Sequence, residues 1–181
     1  MKQKAFSLIE IVIIISIIVI LFFISLPRLC FIQRFVLRSE TDKLFTVFSF
    51  LQQKAIASNQ EQQLYFDVGK NVYSYQGKAG GNVVCALPKP VMFGFFQHAK
   101  GPPSRSSKKI NASVTFKKTE KGKRIIRFFA DGTMSSGTVY LVDKDKMYMY
   151  AVTISVAQVS FVRMYRYDHD HWVCLQNSPK R

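Results

Sequence analysis

The sequence predicts an α+β protein: a long amino-terminal helix, membrane-spanning in its first half, packed on an antiparallel β-sandwich-like head. Three observations carry this. Phe6–Leu26 is a near-continuous apolar run. Leu37, Leu44, Phe48, Leu51 and Ala55 then recur at intervals of seven, four, three and four, a helical stripe. Beyond residue 60 the period shortens to alternating segments separated by Gly, Asn and Asp turns. With 181 residues in all, the chain divides into a short basic leader (1–5), an apolar helix (6–27), its amphipathic continuation (28–59) and one β-rich head (60–181).

The apolar run comes first because it holds a single acid, Glu10. Spanning a bilayer takes about 20 apolar residues as a helix. A secretory signal peptide is the ordinary alternative, but its apolar core runs to only about 7–15 residues and ends in a small-x-small cleavage site. No such site follows here, and Pro27-Arg28-Leu29 before Cys30 lacks the small residue of a lipoprotein site. A plain membrane anchor leaves Glu10 unexplained, since a charge deep in lipid costs at least about 2.5–3.5 kcal/mol. Flanking charge does not fix the orientation: Lys2 and Lys4 stand on one side, Arg28, Arg34 and Arg38 on the other.

Lys4-Ala5-Phe6-Ser7-Leu8-Ile9-Glu10 resembles the processing site of type IV pilins and type II secretion pseudopilins. Ala5 stands where that family usually has Gly. The resemblance implies cleavage between Ala5 and Phe6 by a prepilin peptidase, N-methylation of the new terminus at Phe6, and an assembly role for Glu10. The likeness extends to Pro27, where these proteins often carry a helix-kinking proline. It implies a leader facing the cytoplasm, a single pass through the bacterial inner membrane and a head in the periplasm. The implied partners are other pilin or pseudopilin subunits, an inner-membrane assembly platform and membrane lipid. In such a fibre the partner of Glu10 would be the free amine of Phe6, on a neighbouring subunit or its own. A buried carboxylate is tolerated when a cation is supplied.

After the run, the helix is expected to continue to about Ser58, with Arg38, Glu40, Asp42, Lys43, Gln52, Gln53 and Lys54 on its solvent side. Ser58–Glu61 is a polar stop. Leu64–Val68 alternates, Gly69-Lys70-Asn71 supplies a turn, and Val72–Tyr75 returns. Val83–Leu87 and Val91–Phe96 read as short strands, interrupted by Pro88 and Pro90. Lys100–Lys109 is basic and rich in Pro and Ser, a candidate mobile surface loop. Ala112–Lys118 and Arg124–Phe129 are strand-like, and Asp131-Gly132 is a tight turn. Two hairpins follow: Thr138–Val142 with Met147–Ile154, and Val159–Tyr167 with Trp172–Leu175. Such a series of short strands suggests two packed sheets.

Ile126–Val142 is similar to the carboxy-terminal part of the H-type minor pseudopilins and FimT-like minor pilins, with Phe129, Asp131-Gly132 and Gly137 in the matching places. Leu51–Asn59 resembles the end of their long helix, with Lys54 where Arg is common. Val159–Arg163 lacks the Gly of the family's closing Gly-Arg strand, and residues 76–110 match nothing in it. The resemblance implies a helix packed on a β-rich head, in a minor subunit of a fibre serving type II secretion or a type IV pilus.

The net charge of +15 favours anionic partners: lipid headgroups, nucleic acid or an acidic protein face. The resemblance also implies an alternative function, a DNA-binding minor pilin of a natural transformation machine. Arg105, Lys108, Lys109, Arg163 and Arg166 are the candidate DNA or anion contacts, the last two alternating with Tyr165, Tyr167 and Trp172. Cys85 and Cys174 are either a disulfide, if the head lies in an oxidising compartment, or two separate thiols. Asp168-His169-Asp170-His171 reads as a solvated turn, since adjacent ligands on a hairpin make a poor closed metal site. No phosphate loop, paired catalytic acids or Ser/His/Asp order stands out, so neither catalysis nor a cofactor is implied.

Overall fold

The computed structural model describes residues 7–25, 28–77, 80–103, 108–120, 122–155 and 161–175. The chain divides into two compact units, Met1–Phe35 and Val36–Arg181.

In the first unit, α1 spans Leu8–Ser25. Its described side chains to Phe22 are all exposed and, Glu10 and Ser16 aside, all apolar. Ser16 donates its hydroxyl to the Val12 carbonyl at 2.8 Å, which pairs that proton within the apolar stretch. An 18-residue helix is about 27 Å long, short of the ~30 Å hydrocarbon core. Among the described residues no helix is long and apolar enough to cross a membrane. The single helix expected from Phe6 to Ser58 is described as two, because Leu26 and Pro27 lie outside the described residues and α2 starts at Arg28.

In the second unit, α2 (Arg28–Ser58) delivers its stripe as the spacing requires. Leu37, Leu44, Phe48, Leu51 and Ala55 are each 0% exposed. One expected solvent residue is not on the solvent side. Glu40 is buried, and its carboxylate accepts from Lys43 Nζ at 2.6 Å. Arg38 and Asp42 pair across one turn on the surface.

Among the described residues, nine strands build two antiparallel sheets. β1 (Gln62–Asp67), β2 (Val72–Gln76), β3 (Asn82–Ala86) and β5 (Arg124–Phe128) form the first, in the order β3-β2-β1-β5. β4 (Val91–Phe93), β6 (Gly137–Asp143), β7 (Met149–Ser155), β8 (Phe161–Asp168) and β9 (His171–Cys174) form the second, in the order β4-β6-β7-β8-β9. One core joins α2 to both. Phe48 of α2 meets Phe66 of β1 and Phe128 of β5 edge-on at 6.4 and 6.0 Å. Phe66 meets Phe93 of β4 edge-on at 5.6 Å, bridging the sheets.

The second sheet is covered on both faces, so β6 is buried at every position. Its far face packs under the irregular stretch after β4, with Phe95, Phe96, Ala99 and Ile110 against Tyr140, Tyr165 and Trp172. This gives a role to a region that the sequence left blank, and it narrows the reading of Lys100–Lys109 as a surface loop: Lys100, Pro103, Lys108 and Lys109 are exposed, but the stretch is also tied to the sheet. Gly101 and Pro102 are buried, Lys100 and Lys109 form a β-bridge, and Trp172 Nε1 donates to the Lys100 carbonyl at 2.8 Å. Residues 104–107 lie outside the described residues.

Ala112–Lys118 is a correction, because it forms no strand. Tyr140 N–H donates to Ser113 O, and Thr115 N–H to Thr138 O, beside the second sheet. Two residues on, the Lys117 carbonyl accepts from Ile125 N–H of the first. A segment that changes sheets within five residues has no room for a ladder on either.

Candidate functional site

The carboxylate that the sequence singles out sits at the start of α1. Ser7 precedes the helix, and its carbonyl accepts the N–H of Glu10 at 3.0 Å and of Ile11 at 3.3 Å. Ser7 and Glu10 thus hold the spacing of a capping box, N-cap Ser and third-residue Glu. An acid there also meets the positive end of the helix dipole. This local role was legible in Ser7-Leu8-Ile9-Glu10 and is additional to the one inferred from the resemblance. Among the described residues of α1, Glu10 is the one charge, flanked by Ile9 (67% exposed) and Ile13 (53%). An exposed carboxylate in an apolar field must take up a proton or find a cation once neighbouring apolar surface covers it. Ala5 and Phe6 lie outside the described residues.

The described candidate anion contacts do not all lie on one face. Lys108 and Lys109 are exposed, and Arg105 lies outside the described residues. Arg163 and Arg166 are three apart on β8, which puts them on opposite faces of the sheet. Arg163 is exposed. Arg166 is half-buried and binds Asp168 at 2.8 Å. Of the aromatics meant to alternate with them, Tyr165 is 4% exposed, and Trp172 packs on Tyr167 at 5.0 Å and on Tyr140.

No family model matches the chain, and no curated protein matches it. Among solved structures, it is similar to the minor pseudopilin EpsH from the type 2 secretion system of Vibrio cholerae. The TM-score is 0.47 and the identity 12%, over 70% of this chain and 94% of that one.

Cys85, a free thiol, is half-buried on β3, and Cys174 is exposed on β9. They sit on the edge strands of different sheets. Beside Cys85, the Tyr73 hydroxyl is raised well above its ordinary range, first by burial and then by the thiol and Glu40.

The Asp168–His171 turn is a two-residue hairpin with His169 and Asp170 at φ 41° and 66°, the pair of positive angles that a tight type I′ connection needs. Asp168 binds His169 Nδ1 at 2.8 Å, and Tyr167 donates its hydroxyl to Asp170 at 3.1 Å. Desolvation acts to raise the Asp168 carboxyl, but hydrogen bonds from His169 and Arg166 outweigh it and hold it below the usual range. Among the described residues, no three His, Cys, Asp or Glu side chains gather where they could hold a metal.

Proposed function

We propose that the protein is a minor pilin or pseudopilin, a structural subunit of a periplasmic fibre that drives type II secretion or pilus assembly. The observation that carries the reading is Lys4–Glu10 heading an apolar helix in which Glu10 is the one described charge. The α2 stripe seated in a β-rich head supports it, since such a subunit needs a helix anchored in its head.

In this reading a prepilin peptidase cuts between Ala5 and Phe6, and the new terminus is methylated. The apolar helix, extended through residues 6–27, is stored in the inner membrane as a single pass with the head in the periplasm. As the fibre grows on its assembly platform, the helix leaves lipid and stacks among other subunits. Glu10 then meets the Phe6 amine of a neighbour or its own. Truncating either partner leaves a bare charge in an apolar bundle, which costs about 3–5 kcal/mol.

Mass analysis of the mature amino terminus tests the processing, with a chain starting at methylated Phe6 expected. A protein that keeps Met1–Ala5, or one that starts beyond Glu10, would end the proposal. Glu10→Ala should block entry into the fibre while the head stays folded. Normal incorporation of that variant would remove the role of Glu10.

A further inference from the structure

One face of the first sheet, which carries Tyr65, Ser74 and Arg127, is turned away from the core shared with α2. Along that face three concavities adjoin. The central one, about 700 Å³, is floored by Tyr65 and Ser74 and walled by Lys118, Lys123 and Arg127. One neighbour, about 440 Å³, shares Lys118 and Arg127 and adds Lys117. The other, about 340 Å³, shares Tyr65 and Asn82 and adds Gln63 and Gln76, with Glu61 as its one charged lining residue. Together they make a trough that crosses the strands from β3 to β5.

Its depth has a local cause. Thr119 and Gly122 close a turn (Thr119 N–H to Lys123 O at 2.7 Å, Gly122 N–H to Thr119 O at 2.9 Å) that stands beside β5. Lys118 and Lys123 flank that turn, both exposed and in no ion pair among the described residues. Arg127 lies across the sheet, 3.6 Å from Glu61.

We propose that this trough docks an extended acidic segment of a protein partner. Charge complementarity asks for an anion at the β5 end, where the four cations Lys117, Lys118, Lys123 and Arg127 outnumber Glu120 and Glu61, the latter 3.6 Å from Arg127. The β3 end asks for something else. Ser74 and Asn82 offer hydroxyl and amide groups of the kind that bind a peptide main chain, and among the described residues no cation lines that end to draw a second anion. A nucleic acid carries a charge on every nucleotide and would have to lay charges along that half too, where no described cation lines the trough. It would also want a row of open aromatic rings, whereas Tyr65 is half-buried and its hydroxyl donates to Gln63 Oε1. A peptide with carboxylates at one end fits both halves. Four strands about 4.8 Å apart leave a floor about 15 Å across, room for roughly five extended residues. The inference stands on the surface of the head and does not rest on the fibre reading.

The test is fluorescence anisotropy with full-length protein in neutral detergent and a labelled peptide bearing glutamates at one end. Saturable binding is expected, lost when the glutamates become glutamine. Lys118→Glu/Lys123→Glu should weaken it at least about tenfold, while Lys144→Glu/Lys146→Glu, the same change of charge on an exposed turn of the other sheet, should change it less than about twofold. Circular dichroism checks folding of both variants. A peptide carrying a photo-crosslinker, mapped on the wild-type protein, should label the neighbourhood of Tyr65 and Lys118 whether or not the variants fold. Equal loss in both double variants, labelling spread over the surface, no saturable binding, or displacement of the peptide by oligothymidylate at equal charge would each overturn the proposal.

Discussion

Gly137 lies directly under the ring of Phe116: a Cβ built on Gly137 would fall 2.6 Å from two of the ring carbons. Both residues are buried, and the same ring stacks on Phe66 at 6.5 Å. The glycine is needed for space, because the segment that changes sheets must press its aromatic onto the first residue of β6. Gly137→Ala should therefore destabilise the head by about 1–3 kcal/mol through overpacking. In urea unfolding, Gly137→Ala combined with Phe116→Leu should cost less than the sum of the two single changes. A Gly137→Ala variant as stable as wild type would mean that the ring is free to move aside.

Trp172 is the sole tryptophan, which makes it both a strut and a reporter. Its indole N–H holds the Lys100 carbonyl at 2.8 Å, and its ring covers Tyr140, Tyr165 and Tyr167. Trp172→Phe keeps much of the ring packing and loses the hydrogen bond, for about 1 kcal/mol. Trp172→Ala should cost about 3–5 kcal/mol. Limited proteolysis should cut the 100–110 stretch sooner in both, and faster in the Ala variant. Unchanged cutting would show that this tie does not hold the stretch down.

The residues that were legible in the sequence are those whose partners follow from period alone. Five stripe positions on α2 are wholly buried because an i, i+3, i+4 spacing fixes a face whatever lies opposite. The Asp131-Gly132 turn was legible for a similar reason. Asp131 accepts both the N–H and the hydroxyl of Thr133, and Gly132 has φ +82°, so the chemistry is contained within three residues. Ala112–Lys118 alternates correctly, and Val114 and Phe116 are buried, yet it is no strand. Alternation reports faces and cannot report that the neighbour changes from one sheet to the other. Glu40 went under for the same reason, since helical period cannot show how far β2 and its Tyr73 reach over the flank of α2. Of the candidate sites, Glu10 was legible only as the one described charge of an apolar helix. The opposed faces of Arg163 and Arg166 also follow from their odd spacing. The trough on the first sheet was hidden, because it is assembled from four strands and a turn.

Lys54 ties the helix to the end of β2. Its ammonium donates to the Gln76 and Gly77 carbonyls, each at 2.9 Å. Both acceptors lie where β2 ends, so the bond fixes where the sheet stops relative to α2. Lys54→Met should cost about 1–2 kcal/mol, the lower part of the range for a charged donor because the site is partly solvated. Lys54→Arg should recover most of that, since a guanidinium can serve two carbonyls. Amide exchange at Gly77, whose N–H donates to Gly81 O at 2.8 Å, should speed up in the Met variant. Exchange at the wild-type rate would count against the tie.

The hairpin tip carries a pH dependence whose sign follows from Asp168. Hydrogen bonds from His169 and Arg166, together with their charges, overcome desolvation and hold its carboxyl below the usual range. A carboxyl lowered by folding stabilises the native state above its unfolded value, about 3.9. That contribution fades as pH falls through the lower, folded value. Asp131 acts in the same direction through its bonds from Thr133. Urea midpoints measured from about pH 5 down to about pH 2 should therefore fall less steeply in Asp168→Asn than in wild type. They should fall least in Asp168→Asn/Asp131→Asn, because the two turns lie far apart in the chain and share no hydrogen bond among the described residues. Both groups are open to solvent, so 1 M salt should shrink the part that comes from the Arg166 and His169 charges and spare the part that comes from Thr133. Should Asp168→Asn follow the wild-type curve in low salt, the Asp168–Arg166 contact at 2.8 Å contributes nothing to stability.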